Sequence, residues 1–194
     1  MAQTSHSLLE RLRTEPDDAA WQRLVDLYTP LIQGWLRRHF VQVHDAEDLT
    51  QDVLRVVVRE LKGFQHNRQP GAFRSWLRAI TVNRLRGHWR SRRGKAEAAA
   101  DSAVEKQLAE LEDPHSSLSQ LWDAQHDRHV MARLLQTIAC EFNITSWQAF
   151  EQHALEGKPA SAVAAALGVS ANVVLLAKSR ILRRLRQEAQ GLLD

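Results

Sequence analysis

The stretch DAEDLTQDVLRVVVREL, residues 45–61, combines a helical apolar pattern with closely spaced acidic residues. Its apolar side chains recur at steps of three and four residues, which predicts one buried face: Leu49, Val53, Val56, Val57 and Leu61. We expect Asp45 to cap this helix, which should run to about Lys62 and end at Gly63. The helix dipole favours acids mainly in the first turn, and Asp52 lies beyond it. The acids therefore also fit a strip of carboxylates that is held out to a basic partner.

Helical spacing also dominates the sequence on both sides of this stretch. A short helix is expected at residues 7–12, and Asp17 and Asp18 are placed to begin a second one. After a polar loop at 64–71, another helix is predicted from about Ala72. The chain has only 8 Gly and 5 Pro in 194 residues, and it shows no alternating strand pattern. The predicted fold is therefore all-α.

The composition changes at residues 94–117, which are rich in Ala, Glu and Ser and poor in large apolar side chains. Such a segment is typical of a linker with partial helix, and it favours two small hydrophobic cores over one. The predicted organisation is a helical domain at 1–93, an acidic linker at 94–117 and a second helical domain at 118–194.

The segment KPASAVAAALGVSANVVLLAKSR, residues 158–180, has the pattern of a helix-turn-helix. An Ala-rich helix should end at Leu167, Gly168 permits the left-handed backbone of a tight turn, and Ser170 caps the next helix. At about 100° per residue, the second helix turns a mixed polar and basic face to one side: Asn172, Leu175, Ser179, Arg183 and Arg186, flanked by Lys178 and Arg180. Such side chains can read base edges and contact phosphates. An ordinary helical hairpin with a solvated basic face is the alternative.

Charge is segregated along the chain, although the formal net charge is only +3. Residues 84–95 carry six Arg or Lys and no acid, whereas residues 97–113 carry six acids and one Lys. Residues 178–188 carry five basic residues and one acid. Clusters of one sign usually serve an oppositely charged partner or belong to a disordered tail.

Composition disfavours membrane, secreted and metal-binding classes of protein. No apolar run approaches the ~18 residues that span a bilayer, and the first residues lack the pattern of a signal peptide. The single cysteine, Cys140, excludes an internal disulfide and fits a reducing cytosol, so the expected location is cytoplasmic. His126 and His129 could share a helical face, but no further ligand completes a metal site, and a solvated pair is expected.

In the order and spacing of these segments, the chain resembles the extracytoplasmic-function group of bacterial sigma factors over about residues 5–190. The resemblance implies two helical domains, sigma domains two and four, joined by a linker. DAEDLTQDVLRVVVRELKGF, residues 45–64, is similar to the family segment that binds the clamp helices of the polymerase β′ subunit. GAFRSWLRAITVNRLRGHWR, residues 71–90, is similar to the segment that melts and reads the minus-ten promoter element. The helix-turn-helix is similar to the reader of the minus-thirty-five element.

The resemblance implies that polar positions of the helix at 45–62 bind core RNA polymerase: Asp45, Asp48, Gln51, Asp52 and Arg55. Carboxylates and amides at adjoining positions independently suit charge-assisted bonding with Arg or Lys. Helix capping by the acids is the alternative. The implied partners are the polymerase core, through its β′ and β subunits, and promoter DNA, while an anti-sigma protein is left open. No cofactor and no catalytic residue is expected.

Minus-ten contacts are expected from the loop before the next helix and from that helix itself: His66, Asn67, Arg68, Arg74, Arg78, Asn83, Arg84, Arg86, Trp89 and Arg90. Cations that follow a backbone beside aromatic rings are a common way to hold single strands. The loop residues lie where the family captures a flipped base, and a solvated loop is the alternative. Trp76 lies on the apolar stripe and is expected in the core, whereas Trp89 is the candidate for stacking.

Minus-thirty-five contacts are expected from the second helix of the helix-turn-helix and its cap: Ser170, Asn172, Leu175, Lys178, Ser179, Arg180 and Arg183. The stretch GVSANVVLLAKSR, residues 168–180, exceeds that of many family members by roughly one helical turn. The base-reading register therefore stays open between two sets of side chains: the later Lys178, Ser179 and Arg183, and the earlier Asn172, Leu175 and Leu176.

Two further alternatives concern the linker and the whole chain. The acidic linker is either a disordered tether or, as in the family, a polyanion that threads polymerase channels built for nucleic acid. A stand-alone helix-turn-helix regulator is the alternative function, although a dimer has no use for a one-sided row of carboxylates. An enzyme with Asp45, Asp48 and Asp52 as catalytic carboxylates is disfavoured, because no nucleophile–base pair, phosphate-binding glycine loop or metal set accompanies them.

Overall fold

The computed structural model describes residues 7–39, 41–64, 70–92 and 98–193. Within these ranges the regular structure is helical and contains no strand, which confirms the all-α prediction. The elements, in chain order, are α1 (Leu8–Thr14), α2 (Asp18–His39), α3 (Val43–Glu60), a 3-10 turn (Leu61–Gly63), α4 (Ala72–Arg92), α5 (Ala98–Glu112), α6 (Ser117–Ala139), α7 (Ile144–Phe150), a π-helical turn (Glu151–Leu155), α8 (Ala160–Leu167) and α9 (Ala171–Ala189).

The chain divides into two compact units, one built mainly of residues 8–130 and the other of residues 131–190. The division falls inside α6, between Val130 and Met131. The first unit therefore contains α1 to α5 and the first half of α6, and the second contains the rest of α6 with α7 to α9. The functional domain boundaries at 93/94 and 117/118 stay predictions.

The core of the first unit forms where the apolar stripes of α2, α3 and α4 meet. The face of α3 predicted from its spacing is buried: Leu49, Val53, Val56 and Val57, with Leu61 in the following turn. On α2, Trp35 packs edge-on against Trp122 of α6, with ring centroids 4.6 Å apart. Both indoles are almost completely buried. This aromatic pair fixes the first half of α6 in the core of the unit, because such rings bury large apolar areas.

The N-terminal ends of α2 and α3 differ in how they are capped. Asp17 accepts a hydrogen bond from the Ala20 amide at 2.6 Å, which confirms the predicted start of α2. The predicted Asp45 cap of α3 is wrong. The Ala46 amide bonds to the Gln42 carbonyl at 3.0 Å, so the helix already includes Asp45, and Gln42 is its cap residue without a side-chain bond. Asp45 instead lies in the first turn, where an acid is favoured by the helix dipole.

The start of α4 at Ala72 agrees with the prediction. Gly71 precedes it with a φ of 73°, a left-handed conformation that favours glycine. A Cβ atom at Gly71 would lie 2.6 Å from the guanidinium of Arg74. Glycine at this position thus permits the turn and leaves room for the first arginine of the helix.

Helix α5 occupies most of the predicted linker. It packs against α4, and its Leu108 and Leu111 are buried. The part of the linker that the structure describes is therefore an ordered helix of the first unit. Its passage through polymerase channels stays a prediction.

The second unit contains the predicted helix-turn-helix. Helices α8 and α9 meet at 106°, and together with Ala149 of α7 their buried side chains form a small core: Val163, Ala164, Val174 and Ala177. Gly168 has a φ of 65° and ends α8, and the Ser170 hydroxyl accepts a hydrogen bond from the Val173 amide at 3.3 Å. The helices, turn and cap predicted for this segment are confirmed. Their angle falls in the usual range for a helix-turn-helix.

Within the described ranges no single helix is both long enough and apolar enough to span a membrane. The bent pair of α8 and α9 reaches that length and apolar content only when the two helices are taken together.

Candidate protein and nucleic-acid interfaces

One face of α3 carries the predicted polar strip, which we define as Asp48, Gln51, Asp52 and Arg55. All four side chains are exposed. Arg55 donates to the Asp52 carboxylate at 2.6 Å and to the Gln51 side-chain oxygen at 3.2 Å. Because Arg55 and Asp52 remain 70% and 51% exposed, this ion pair is a weak surface contact that a partner can rearrange. The strip is held in place by the buried face on the other side of α3.

Asp45 does not belong to the exposed strip. Its side chain is 21% exposed and lies 4.0 Å from Nε2 of His88 on α4. The residue therefore connects α3 with α4, and only the four residues of the polar strip lie open together.

Two arginines predicted to contact DNA point instead at carboxylates of α6. Arg74 contacts Asp127 at 2.6 Å and Asp123 at 3.1 Å. Arg78 contacts Asp123 at 2.8 Å, and its side chain is only 7% exposed. The spacing of four residues on each helix places the two arginines opposite the two acids, with Asp123 shared between them. In this conformation the two guanidinium groups hold α4 and α6 together and are not open to a ligand.

A third predicted DNA contact, Arg86, is paired with α5. Its guanidinium hydrogen-bonds to both oxygens of Glu112, one at 3.0 Å, and to Glu105 at 3.2 Å. The hydrogen bond to Glu112 is the main reason why the pKa of Arg86 is raised, and Glu105 adds to it while partial burial opposes it. The arginine stays charged in any case. Unlike Asp123, both glutamates are about half exposed.

The other described candidates on α4 are accessible. Asn83, Arg84 and Arg90 are exposed, and at about 100° per residue Asn83 and Arg90 lie only about 20° apart around the helix. Trp89 is half-buried, its ring faces His88 edge-on, and its indole nitrogen has no hydrogen-bond partner among the described residues. An accessible cation beside a partly exposed indole can hold a nucleic-acid strand.

Two further predictions concern Trp76 and the loop before α4. Trp76 is half-buried and packs against Phe64 and Phe73, with centroids 4.8 Å and 5.6 Å away. It thus forms the edge of the core rather than its interior. The loop candidates His66, Asn67 and Arg68 lie outside the described residues.

Helix α9 presents the predicted reading face to solvent. The exposed members are Asn172, Leu175, Ser179, Arg180 and Arg183, while Lys178 is half-buried. Ser170 is spent on the helix cap, so its hydroxyl positions the helix. Leu175 and Leu176 are 50% and 45% exposed, which leaves apolar surface beside the cations. Such a mixed face suits thymine methyl groups and phosphates together.

An arginine that the sequence analysis did not single out orients α9. Arg184 donates to Glu141 at 2.6 Å and 2.8 Å and contacts the buried Glu188 at 2.6 Å. Burial alone would lower the pKa of Arg184, but the hydrogen bonds to the two glutamates outweigh it and the pKa is raised. Because its charge is satisfied internally, Arg184 supports the reading face without belonging to it.

The two histidines expected to be solvated are not, and that prediction is wrong. His126 is completely buried, with Nε2 3.2 Å from the Tyr28 hydroxyl and Nδ1 3.0 Å from Asp127. His129 contacts the Leu27 carbonyl at 2.7 Å. Burial lowers the pKa of His126, although Asp127 opposes that shift. Both histidines thus attach α6 to α2, and no cluster of potential metal ligands exists among the residues described.

Comparison with known proteins concerns the first unit. Residues 24–95 match the family described as sigma-70 region 2, a range that includes the polar strip of α3 and all of α4. Over 64 residues the chain is 36% identical to the ECF RNA polymerase sigma factor SigE of Mycolicibacterium smegmatis. That alignment covers 33% of this chain and 23% of the relative.

Proposed function

From its membership of the sigma-70 family, in the extracytoplasmic-function group, we propose that this chain binds core RNA polymerase and directs it to promoters. The observation that carries the proposal is the exposed polar strip of α3, which lies within the range that matches sigma-70 region 2. A sigma factor contributes recognition rather than chemistry, so we assign no catalytic residue. Its place of action is the cytoplasm, where the polymerase transcribes.

The polar strip is the proposed contact for the clamp helices of the β′ subunit. Asp48 and Asp52 are exposed carboxylates on neighbouring turns, and Gln51 adds an amide between them. Such groups form short, charge-assisted hydrogen bonds with Arg or Lys on a partner. The local pair of Arg55 with Asp52 is exposed and weak, so a basic side chain of the partner can replace Arg55 at the Asp52 carboxylate.

The proposed DNA contacts lie on two helices. On α4, the accessible Asn83, Arg84 and Arg90 with Trp89 are placed to hold the minus-ten element. On α9, the exposed polar face reads the minus-thirty-five element in the major groove, with Arg180 and Arg183 for phosphates or guanine. Cations on both helices supply most of the affinity, and the polar side chains supply the selectivity.

Co-purification with core polymerase tests the proposal. The variant Asp48→Arg/Asp52→Arg should lose association with the β′ clamp, because two attractive contacts become repulsive while the substituted positions stay exposed. Glu60→Arg is the control: it reverses an acid at the end of the same helix, outside the polar strip. Retained binding by the double variant would contradict the proposed interface.

A stand-alone helix-turn-helix regulator remains the second candidate, because α8 and α9 form a complete helix-turn-helix in the second unit. The same co-purification separates the two candidates. A regulator would bind duplex DNA by itself and would not associate with core polymerase, whereas a sigma factor requires that association.

A further inference from the structure

We propose that α5 acts as a cover for α4. Carboxylates of α5 occupy Arg86 of α4 in place of DNA phosphates until this cover is released. The inference rests on the proposed function, since it assumes that α4 binds the promoter. It goes beyond that function by assigning a regulatory contact to a segment that would otherwise be only a linker.

The contact has the chemistry of arginine–phosphate recognition. Glu112 engages Arg86 through both carboxylate oxygens, and Glu105, two turns earlier on the same face of α5, adds a third contact. A guanidinium group binds a carboxylate and a phosphate with the same planar fork of donors. A DNA phosphate and Glu112 therefore compete for the same atoms of Arg86.

The attachment of α5 is weak enough to be reversible. Among the described residues of α5, Leu108 and Leu111 are its buried side chains. Glu105 and Glu112 are 54% and 47% exposed, so their ion pairs lie within reach of solvent and salt. Exposed pairs of this kind contribute little each, which allows a polyanion to displace them.

The ion pair between Asp123 of α6 and Arg78 of α4 is less exposed than the pairs made by α5, so α6 stays attached to α4 when the cover is released. Arg78 and its partner Asp123 lie deep in the unit, and Trp122 next to them packs on Trp35. Removing Asp123 would leave the buried guanidinium of Arg78 without its carboxylate partner, which is costly. We therefore assign Arg74 and Arg78 to holding α6 in place, and Arg86 to the part of α4 that the cover releases.

Charge location supports this division. The acidic block at 97–113 follows the basic block at 84–95 directly in the sequence, so the two can meet within one short hairpin of helices. Local connection keeps the effective concentration of the acids near α4 high. With such an internal competitor, only molecules in which α4 is open can bind DNA. The apparent affinity for DNA is therefore reduced in proportion to the fraction of open molecules.

The test compares two single variants of the full chain, Glu112→Gln and Glu110→Gln, in binding a fluorescein-labelled single-stranded oligodeoxynucleotide without polymerase. Both variants lose one negative charge from α5, two residues apart. Glu110 is exposed, and no ion pair joins it to α4 within the described ranges. Glu112→Gln should bind about two- to fivefold more tightly than the wild type, the range expected for an exposed pair. Glu110→Gln should show a smaller gain, and equal gains, or none, would overturn the cover.

Hydrogen exchange gives an independent readout that needs no substitution. Amides of residues 98–112 should exchange faster when the wild-type chain binds the same oligonucleotide, because the cover is displaced. Unchanged exchange in the DNA-bound chain would overturn the proposal, since α5 would then be a permanent part of the unit.

Failure of the cover and failure of the proposed function give different results. If wild-type chain associates with core polymerase but both glutamate variants bind DNA alike, only the cover is overturned. If Glu112→Gln binds DNA more tightly while no form of the chain associates with core polymerase, the cover is supported and the sigma-factor proposal is overturned.

Discussion

Helices α4 and α9 are the two arginine-rich helices of this chain, and their cations meet different surroundings. On α4, Arg74, Arg78 and Arg86 pair with carboxylates of α5 and α6. On α9, Arg180 and Arg183 are exposed, and within the described residues no ion pair joins them. A basic sequence composition therefore predicts affinity for an anion, but not whether that anion is DNA or a carboxylate of the same chain.

The sequence neighbourhood explains the contrast. An acidic block follows α4 directly, and the acids at 123 and 127 match the spacing of the arginines at 74 and 78. Helix α9 has a single acid, Glu188, and it is used by Arg184 within the second unit. Three cations of α4, Arg74, Arg78 and Arg86, are therefore satisfied internally, while most of those on α9 are available to a partner.

The largest expected effect that separates the two helices is on stability. Arg78→Ala should lower the free energy of unfolding by about 2 kcal/mol, because it removes a charge-assisted hydrogen bond from a largely buried site and leaves Asp123 paired with Arg74 alone among the described residues. Arg183→Ala should change it by no more than about 0.5 kcal/mol, as is usual for an exposed side chain. Denaturant unfolding measures both. Equal losses for the two variants would contradict the proposed difference between buried and available cations.

A moderate effect is expected at the cap of α9. Ser170→Ala should cost about 1 kcal/mol of stability in the second unit, because the Val173 amide loses its acceptor. Ser170→Asp is the control, since an aspartate at this position can accept the same bond and should retain stability. Chemical denaturation followed by circular dichroism checks the order of the three proteins. A wild-type-like alanine variant would show that Ser170 does not cap α9.

A smaller, pH-dependent effect on stability is expected from His126, which lies between Tyr28 and Asp127 in the first unit. The pKa of His126 is lowered below its ordinary 6.5, so the unfolded chain binds more protons than the folded chain as the pH falls past that value. Stability contributed by neutral His126 is complete above about pH 6.5 and declines below it. Asp127, whose pKa is also lowered, loses its contribution only at more acidic pH.

The free energy of unfolding, measured from pH 8 to pH 5, roughly the range in which histidine titrates, tests whether stability declines on acidification. The variant His126→Gln keeps a neutral hydrogen-bonding side chain beside Tyr28 and should show a flatter dependence. Wild-type protein that gains stability on acidification across that interval would contradict the buried neutral histidine.

The smallest expected effect concerns the salt dependence of DNA binding. Arg183→Ala should reduce the slope of log affinity against log salt by about 0.9, one phosphate contact. Arg86→Ala should change the slope by less, because Glu105 and Glu112 already neutralise that cation in the free chain. Titrations at several salt concentrations provide the comparison. A larger change for Arg86→Ala than for Arg183→Ala would contradict the assignment of internal and external partners.

Periodicity predicted most of the fold because the buried stripes follow the helical repeat closely. The face of α3, the start of α4 and the turn at Gly168 were all predicted from local patterns. The Asp45 cap was wrong because a cap depends on where backbone hydrogen bonding begins, which residue type alone does not fix. Local patterns therefore predicted the buried faces and several of the boundaries of individual helices.

Long-range pairing was not predicted because it depends on which helices become neighbours. The burial of His126 against Tyr28 joins residues 98 positions apart, and no local pattern indicates it. The contact of Arg78 with Asp123 was missed for the same reason. A signal did exist in the matching four-residue spacings of the arginines on α4 and the acids on α6. The exposed strip of α3 was predictable because its four residues are neighbours on a single helix.

Run-off transcription from genomic fragments with purified core polymerase tests the central claim most directly. We expect discrete transcripts that require this chain, disappear with Asp48→Arg/Asp52→Arg and persist with Glu60→Arg. Transcripts that are the same with and without the chain would contradict its role as a promoter-specificity subunit.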